Sequence, residues 1–192
     1  MKIKRISLLL LSLSFLCLSS CKSLKNLAFS NQPIDTLSYS GSDLLSGTYS
    51  NAPDTSVNKI AIGPHYPSFS QTSLFNKMSF RKQNTANPEK QKLCISILSK
   101  NRLKLILLEE NKPVEELTIR GKFESGYFYG RQKTILLPFF PLLWGYRFER
   151  FRIGRSGEHL ILNFRTNQWA FGLFFGYSEN GTFSGLYRKD TK

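Results

Sequence analysis

The chain has 192 residues, with 27 Lys and Arg against 13 Asp and Glu, a formal net charge of +14, and three cysteines. That length fits one domain, and three cysteines are too few for a disulfide-stapled scaffold. A basic balance ordinarily raises nucleic acid as a partner, so the first question is where the chain resides.

It opens MKIKRISLLLLSLSFLCLSSC. Lys2, Lys4 and Arg5 form a positive n-region, and Ile6 to Leu18 form an apolar h-region of secretory length, too short for a membrane span. Residues 1–20 therefore read as a cleaved signal. Its end, Leu18-Ser19-Ser20-Cys21, resembles the lipobox of bacterial lipoproteins: a branched apolar residue, two small residues, then the cysteine that receives lipid. The resemblance implies that the Cys21 thiol carries diacylglycerol, that the peptide before it is removed, and that the new N-terminus is acylated. Two or more acyl chains, at roughly 0.8 kcal/mol per buried methylene, anchor a protein firmly. Lys22-Ser23-Leu24-Lys25 has no aspartate at the second position and no acidic tract, which is similar to lipoproteins sorted to the outer membrane and facing the periplasm. In Lys/Asn/Ile-rich composition the chain resembles small lipoproteins of the Bacteroidota, in which an acidic run here marks surface export.

That address changes the expected partners. Residues 1–20 hold three bases and no acids, so the remainder carries +11. In an envelope this charge points away from nucleic acid and toward anionic headgroups, lipopolysaccharide phosphates or cell-wall carboxylates. Cys17 leaves with the signal and Cys21 is consumed by lipid, so Cys94 remains as a lone thiol, read as a structural side chain in a strand.

Residues 21–45 are rich in Ser and Asn without sustained periodicity and read as a tether, spanning roughly 25 to 30 Å as a flexible coil. From residue 46 to 192 a single β domain is expected. Gly47-Thr48-Tyr49 begins it. His65 lies in the loop Gly63-Pro64-His65-Tyr66-Pro67, and the spacing of Leu74, Phe75 and Met78 predicts one short helix over Ser73 to Phe80. After the polar loop RKQNTANPEK, Leu93, Ile95 and Ile97 alternate with Cys94 and Ser96. Lys100-Asn101 then turns the chain into Leu103, Leu105 and Leu107. Glu110-Asn111-Lys112-Pro113 makes a second turn, flanked by Glu109, Glu115 and Glu116 as a solvated charged tip, before Leu117, Ile119 and Phe123. Further strands are expected at Tyr127–Thr134, Tyr146–Ile153, His159–Phe164, Trp169–Phe175 and Thr182–Arg188, with Asn180-Gly181 as the hairpin joining the last two.

Eight or nine short strands at this spacing describe an all-β, mainly antiparallel meander closing into a barrel or sandwich. The arrangement faintly resembles the lipocalin and calycin barrels, whose first strand carries Gly-x-Trp where this chain has Gly47-Thr48-Tyr49. That resemblance implies a ligand-holding barrel without naming a ligand.

Ile135 to Trp144, ILLPFFPLLW, is ten apolar residues in a row, about half of a membrane helix. Pro138 and Pro141 break helix and central strand alike, so the segment is expected to be a connection. It can plug the barrel, dock on a partner, or dip into a membrane interface. Beyond it Arg147, Arg150, Arg152 and Arg155 interleave with Tyr146, Phe148 and Phe151, and the slip in alternation between Phe148 and Phe151 suggests a bulge. Arg150 and Arg152 share a strand face, either as a solvated exterior or as a clamp for phosphate or carboxylate. The candidate binding set is thus Phe139, Phe140, Trp144, Tyr146, Arg147, Arg150 and Arg152, for an anionic envelope component or a small apolar ligand.

No catalytic or cofactor motif is legible. His65 and His159 lie outside any metal-ligand spacing, Glu158 and His159 point to opposite faces of a strand, and no G-x-S-x-G turn occurs. No cofactor or metal is expected. The sequence reads as a non-catalytic binding or assembly accessory; the alternatives are a small envelope hydrolase using His65 or His159, and a scaffolding or inhibitory lipoprotein.

Overall fold

The computed structural model describes residues 45–61, 73–80, 87–139, 143–172 and 175–190. Cys21 and most of the tether, His65 and Phe140 lie outside them. Among the described residues there are ten strands, one short α-helix and a 3-10 turn at Pro88–Lys90: β1 Gly47–Ser50, β2 Thr55–Ala61, α1 Leu74–Ser79, β3 Gln91–Ser99, β4 Arg102–Glu109, β5 Lys112–Glu124, β6 Tyr127–Gly130, β7 Lys133–Phe139, β8 Leu143–Ser156, β9 His159–Gly172 and β10 Phe175–Arg188. Nine of the strands follow one path, β1-β3-β4-β5-β6-β8-β9-β10-β2, antiparallel throughout, while β7 pairs with β8 beside β6.

Turn chemistry explains the early half. β3 and β4 meet across Lys100-Asn101, where Ser99 pairs with Arg102. β4 and β5 meet across Glu110-Asn111, whose φ angles of 50° and 64° are those of the primed turns that match strand twist. Ser125 and Gly126, at 50° and 79°, do the same between β5 and β6. Lys112 and Pro113, expected in the turn, already belong to β5.

The sheet curls because β5 changes partners midway. Up to Arg120 it pairs with β4, and from Gly121 to Glu124 it pairs with β6. At the changeover Gly121 faces Gly130 across the strands. A Cβ on Gly121 would lie 2.4 Å from the Phe128 ring, and one on Gly130 would lie 2.2 Å from the ring of Phe151. The two aromatic rings thus cover a bend that only glycine leaves room for. The result is a half-barrel in which β1, at one end of the sheet, touches the segment that follows β10: Tyr49 bridges Lys189, and the Asp190 amide donates to Thr48 at 2.8 Å.

Inside the curl a single core gathers Leu93, Ile95, Leu103, Leu105 and Leu107 from one wall with Phe151, Ile153, Leu162, Phe164 and Phe183 from the other. Tyr49 is fully buried at the seam and donates its hydroxyl to the Leu45 carbonyl at 3.0 Å; burial pushes that phenol up to about 12. Helix α1 adds Leu74, Phe75 and Met78 to this core. Six residues do not make a stable helix alone. Its start is held by Asn51, whose Oδ1 accepts from the Ser73 hydroxyl at 3.1 Å and the Phe75 amide at 2.9 Å while its Nδ2 donates to Gln91 Oε1 at 3.0 Å.

Several expectations are corrected here. His159–Phe164 and Trp169–Phe175 are not separate strands: β9 runs unbroken to Gly172, and the reversal falls between Gly172 and Phe175. Asn180 and Gly181 are not a hairpin but the middle of β10, paired with Asn167 and Thr166 on one side and with Ala61 and Ile60 on the other. Fourteen continuous pairs with β9 outweigh a local turn preference. The segment Ile135–Trp144 is not a loose connection, since β7 and β8 take up all but three of its residues as the arms of a hairpin. Pro138 is tolerated because β7 pairs on one side only. Tyr127–Thr134 is broken at Arg131-Gln132 into β6 and β7. No bulge separates Phe148 from Phe151: the register of β8 on β9 is continuous, and both rings are buried on opposite faces. Strand β2 has no counterpart in the sequence reading.

Asn51→Ala should lower stability by about 2 to 4 kcal/mol, because it strands three buried partners at once, and should release α1 from the sheet. Urea unfolding and the near-UV signal of the helix-packed aromatics check this; a loss below about 0.5 kcal/mol would sink the assignment.

Candidate functional site

Strand β8 carries most of the residues singled out in the sequence, and its alternation sorts them onto two faces. Phe151 and Ile153 face the core. Gly145, Arg147 and Glu149 therefore share the core face, while Tyr146, Phe148, Arg150 and Arg152 share the far face. Directly opposed residues of antiparallel strands lie on the same face, so the register extends this sorting to β9 and β10. Tyr146, Arg150 and Arg152 are thus brought together and Arg147 is separated from them. Phe139 ends β7 opposite Leu143, and Trp144 stands between Pro138 and Phe171, both placed by backbone register.

On the core face, beyond Phe164 and Phe183, the interior becomes charged. Arg147 donates to the Glu149 carboxylate, which is 7% exposed. Lys77 of α1 enters from across the sheet, its Nζ 4.9 Å from the Phe164 ring centre and 5.1 Å from that of Phe183. Burial pulls its ammonium down to about 8; the Glu149 carboxylate opposes that shift and the Arg147 guanidinium adds to it. Next along the face Gln168 donates to Glu179 at 3.4 Å, and Glu179 and Thr166 are both buried. Lys77, Glu149 and Glu179 escaped the sequence reading. The Arg147-Phe148-Glu149 spacing, which puts opposite charges on one strand face, was the available signal.

On the far face Arg150 stands opposite Arg165, and Arg152 opposite Asn163. Arg152 is 3% exposed and lies 4.0 Å from the Tyr127 ring centre, a stacking that replaces water around the guanidinium. Asn163 accepts from the Ser184 hydroxyl at 2.8 Å. This face is buried along its middle, where Phe148, Arg152, Ile161 and Asn163 lie, and Arg150 is only half-covered. Toward the hairpin ends it opens. Tyr146 and Trp169 pack with ring centres 6.3 Å apart, and Trp169 stacks on Phe171 at the same separation and 10° between planes. Phe171 is 54% exposed and Leu136, paired with Tyr146, is 67% exposed. The far-face positions of β7 to β10 carry Arg150, Arg152, Arg165 and Arg188 and no Asp or Glu.

The remaining histidine among the described residues does a surface job. His159 Nε2 lies 3.5 Å from Asp54, a carboxylate that also takes Arg188 at 3.2 Å. A groove of about 420 Å³ beside that pair is lined by Ser50, Asp54, Glu89, Lys92, Arg188 and Asp190, of mixed charge. The Ser50 hydroxyl in it donates to the Ala52 carbonyl at 2.7 Å, away from the imidazole. No group of three His, Cys, Asp or Glu among the described residues could hold a metal ion, and no described helix is long and apolar enough to cross a membrane. Cys94 is a half-buried free thiol on β3.

Lys77 makes stability depend on pH with a defined sign. Its folded value lies below the ordinary 10.5, so between pH 8 and 10.5 the unfolded chain holds a proton that the folded chain has released, and stability from this group rises across that interval. Below pH 8 the fold bears the full penalty of a buried cation facing Arg147, with Glu149 offsetting part of it. Lys77→Met should therefore be more stable than the natural chain at pH 7, by on the order of 2 kcal/mol, with the gap closing toward pH 10.5. Urea unfolding at pH 7 and pH 10 measures it, and an equal gap at both would rule the origin out.

No protein-family model, curated protein or solved structure matches the chain, so the reading of this site rests on its own geometry.

Proposed function

We propose that the protein is a lipid-anchored component of the cell envelope, held through Cys21 at the outer membrane on its periplasmic side, and that it works by contact rather than by catalysis. The contact surface is the open end of the far face: Leu136, Tyr146, Trp169 and Phe171, with Arg150 behind them. What carries the reading is the gathering of exposed Leu136 and Phe171 with half-buried Tyr146 and Trp169 at one end of a face that, on β7 to β10, carries arginines and no Asp or Glu. Large apolar residues exposed together, beside cations, mark contact sites on soluble domains. Leu98 and Val114 are exposed to a similar degree but stand elsewhere, on β3 and β5, without aromatic neighbours of this kind. The N-terminal lipobox-like sequence and the +11 remainder supply the address and the preference for anionic surroundings.

Two experiments bear on this. Cys21→Ala should abolish acyl-chain labelling in cells; normal labelling would refute the anchor. A photo-crosslinking residue at position 136 or 171 should form adducts in intact envelopes, whereas one at position 114, matched in exposure, should form few. Equal yields at all three positions, or none at any, would refute the contact surface. Serine at 136 or 171 should meanwhile change stability by no more than about 0.5 kcal/mol, because neither side chain belongs to the core.

A further inference from the structure

Taking that contact surface as given, we infer that its partner is the anionic headgroup layer of the membrane that holds the tether. Among the described residues β2 pairs with β10 as far as Asn180, and β6 meets β8 at Arg152 and Ile153. Beyond those points β7, the first half of β8, the last part of β9 and the start of β10 continue together as a four-stranded arm. At its end Phe139 pairs with Leu143, Leu143 with Gly172 and Gly172 with Phe175.

The chemistry of this arm is graded. At its end the far face carries Leu136, Tyr146, Trp169 and Phe171. The chain's two tryptophans both lie here, with Trp144 opposite Phe171 and Trp169 opposite Tyr146. Tyrosine and tryptophan favour the boundary between water and hydrocarbon because one edge of each ring is polar and the rest is not. Arginine follows, with Arg150 half-open and the buried Arg165 directly across from it. Guanidinium groups bind phosphate oxygens in a two-point fork. Phosphate one strand turn away from an apolar layer is what a bilayer surface presents.

Size and concentration favour a bilayer over a protein partner. A stable protein interface takes about 800 Å² from each side, and a handful of open side chains on one sheet end is a small start toward that. A membrane contact needs less, since a tether of roughly 25 to 30 Å keeps the domain at millimolar effective concentration over the lipid. Basic residues near an anionic surface then add about fivefold each.

The two tryptophans provide the readout. The full lipidated chain is reconstituted into vesicles with brominated acyl chains, made either of phosphatidylcholine alone or with added phosphatidylglycerol, and tryptophan fluorescence is followed. Strong quenching is expected in the vesicles with phosphatidylglycerol, falling toward the phosphatidylcholine level at high salt. Arg150→Gln should weaken it about threefold to fivefold, and Leu136→Asp, at an exposed position, should abolish most of it with unchanged unfolding behaviour. Absence of quenching in either lipid, or equal quenching in both, overturns the inference. Adducts from position 136 to protein alone, with unquenched tryptophans, would overturn the membrane as partner and leave the contact surface standing; absence of adducts would remove both.

Discussion

One uncharged side chain, the amide of Asn51, ties together the parts on which the rest depends. It is fully buried, and its hydrogen bonds join two pieces: β3 through Gln91 and the helix start through Ser73 and Phe75. Its backbone carbonyl also accepts from Leu74, and its own amide donates to the Gln91 carbonyl. A short helix has too few internal bonds to stand alone, and α1 supplies more than apolar filling. Through Lys77 it brings a cation over Phe164 and Phe183, and next to it Phe80 packs its ring against Phe151 and Phe164, 5.5 and 6.2 Å between centres. The position of the helix thereby decides where the apolar core ends and the charged interior begins.

The second organising fact is that β8 is covered on both sides over its middle. A strand with one wet face advertises its core side by simple alternation. Here Phe148 and Phe151 are both buried, three residues apart and on opposite faces, and arginines occur on both. The strand keeps an unbroken ladder and assigns opposite faces to neighbours: Arg147 goes to an ion pair on the core face, Arg150 to the half-covered far face and Arg152 to a buried stacking on Tyr127 there.

This accounts for what could be read from residues alone. β3, β4 and the first half of β5 have one solvated face, and there the alternation, the turns and the core set of Leu93, Leu103, Leu105 and Ile119 were legible. The short helix was legible for the same reason, through the spacing of Leu74, Phe75 and Met78. Legibility fails where long strands pair on both edges. Asn180-Gly181 favours a turn locally, yet β9 and β2 hold it flat from both sides, and no local rule contains that information. The apolar run with Pro138 looked incompatible with a strand because the reading assumed a central one; only topology shows that β7 is an edge. Of the candidate site, Tyr146, Arg150 and Arg152 share one strand face, whereas Arg147 lies with Glu149 and Lys77, a residue 70 positions earlier that no strand pattern could bring forward.

The strict two-sidedness of β8 limits how the protein can change over evolutionary time. Insertions and deletions are tolerated where chain length is slack, as in the exposed turn at Gly157-Glu158. Between Leu143 and Ser156 there is none. One added or lost residue would turn Glu149 and Arg147 outward and drive Tyr146 or Arg150 into the interior, reversing the chemistry of both surfaces together. Substitution is therefore the route of divergence open to this strand, and its length should drift far less among descendants than the loops that flank it.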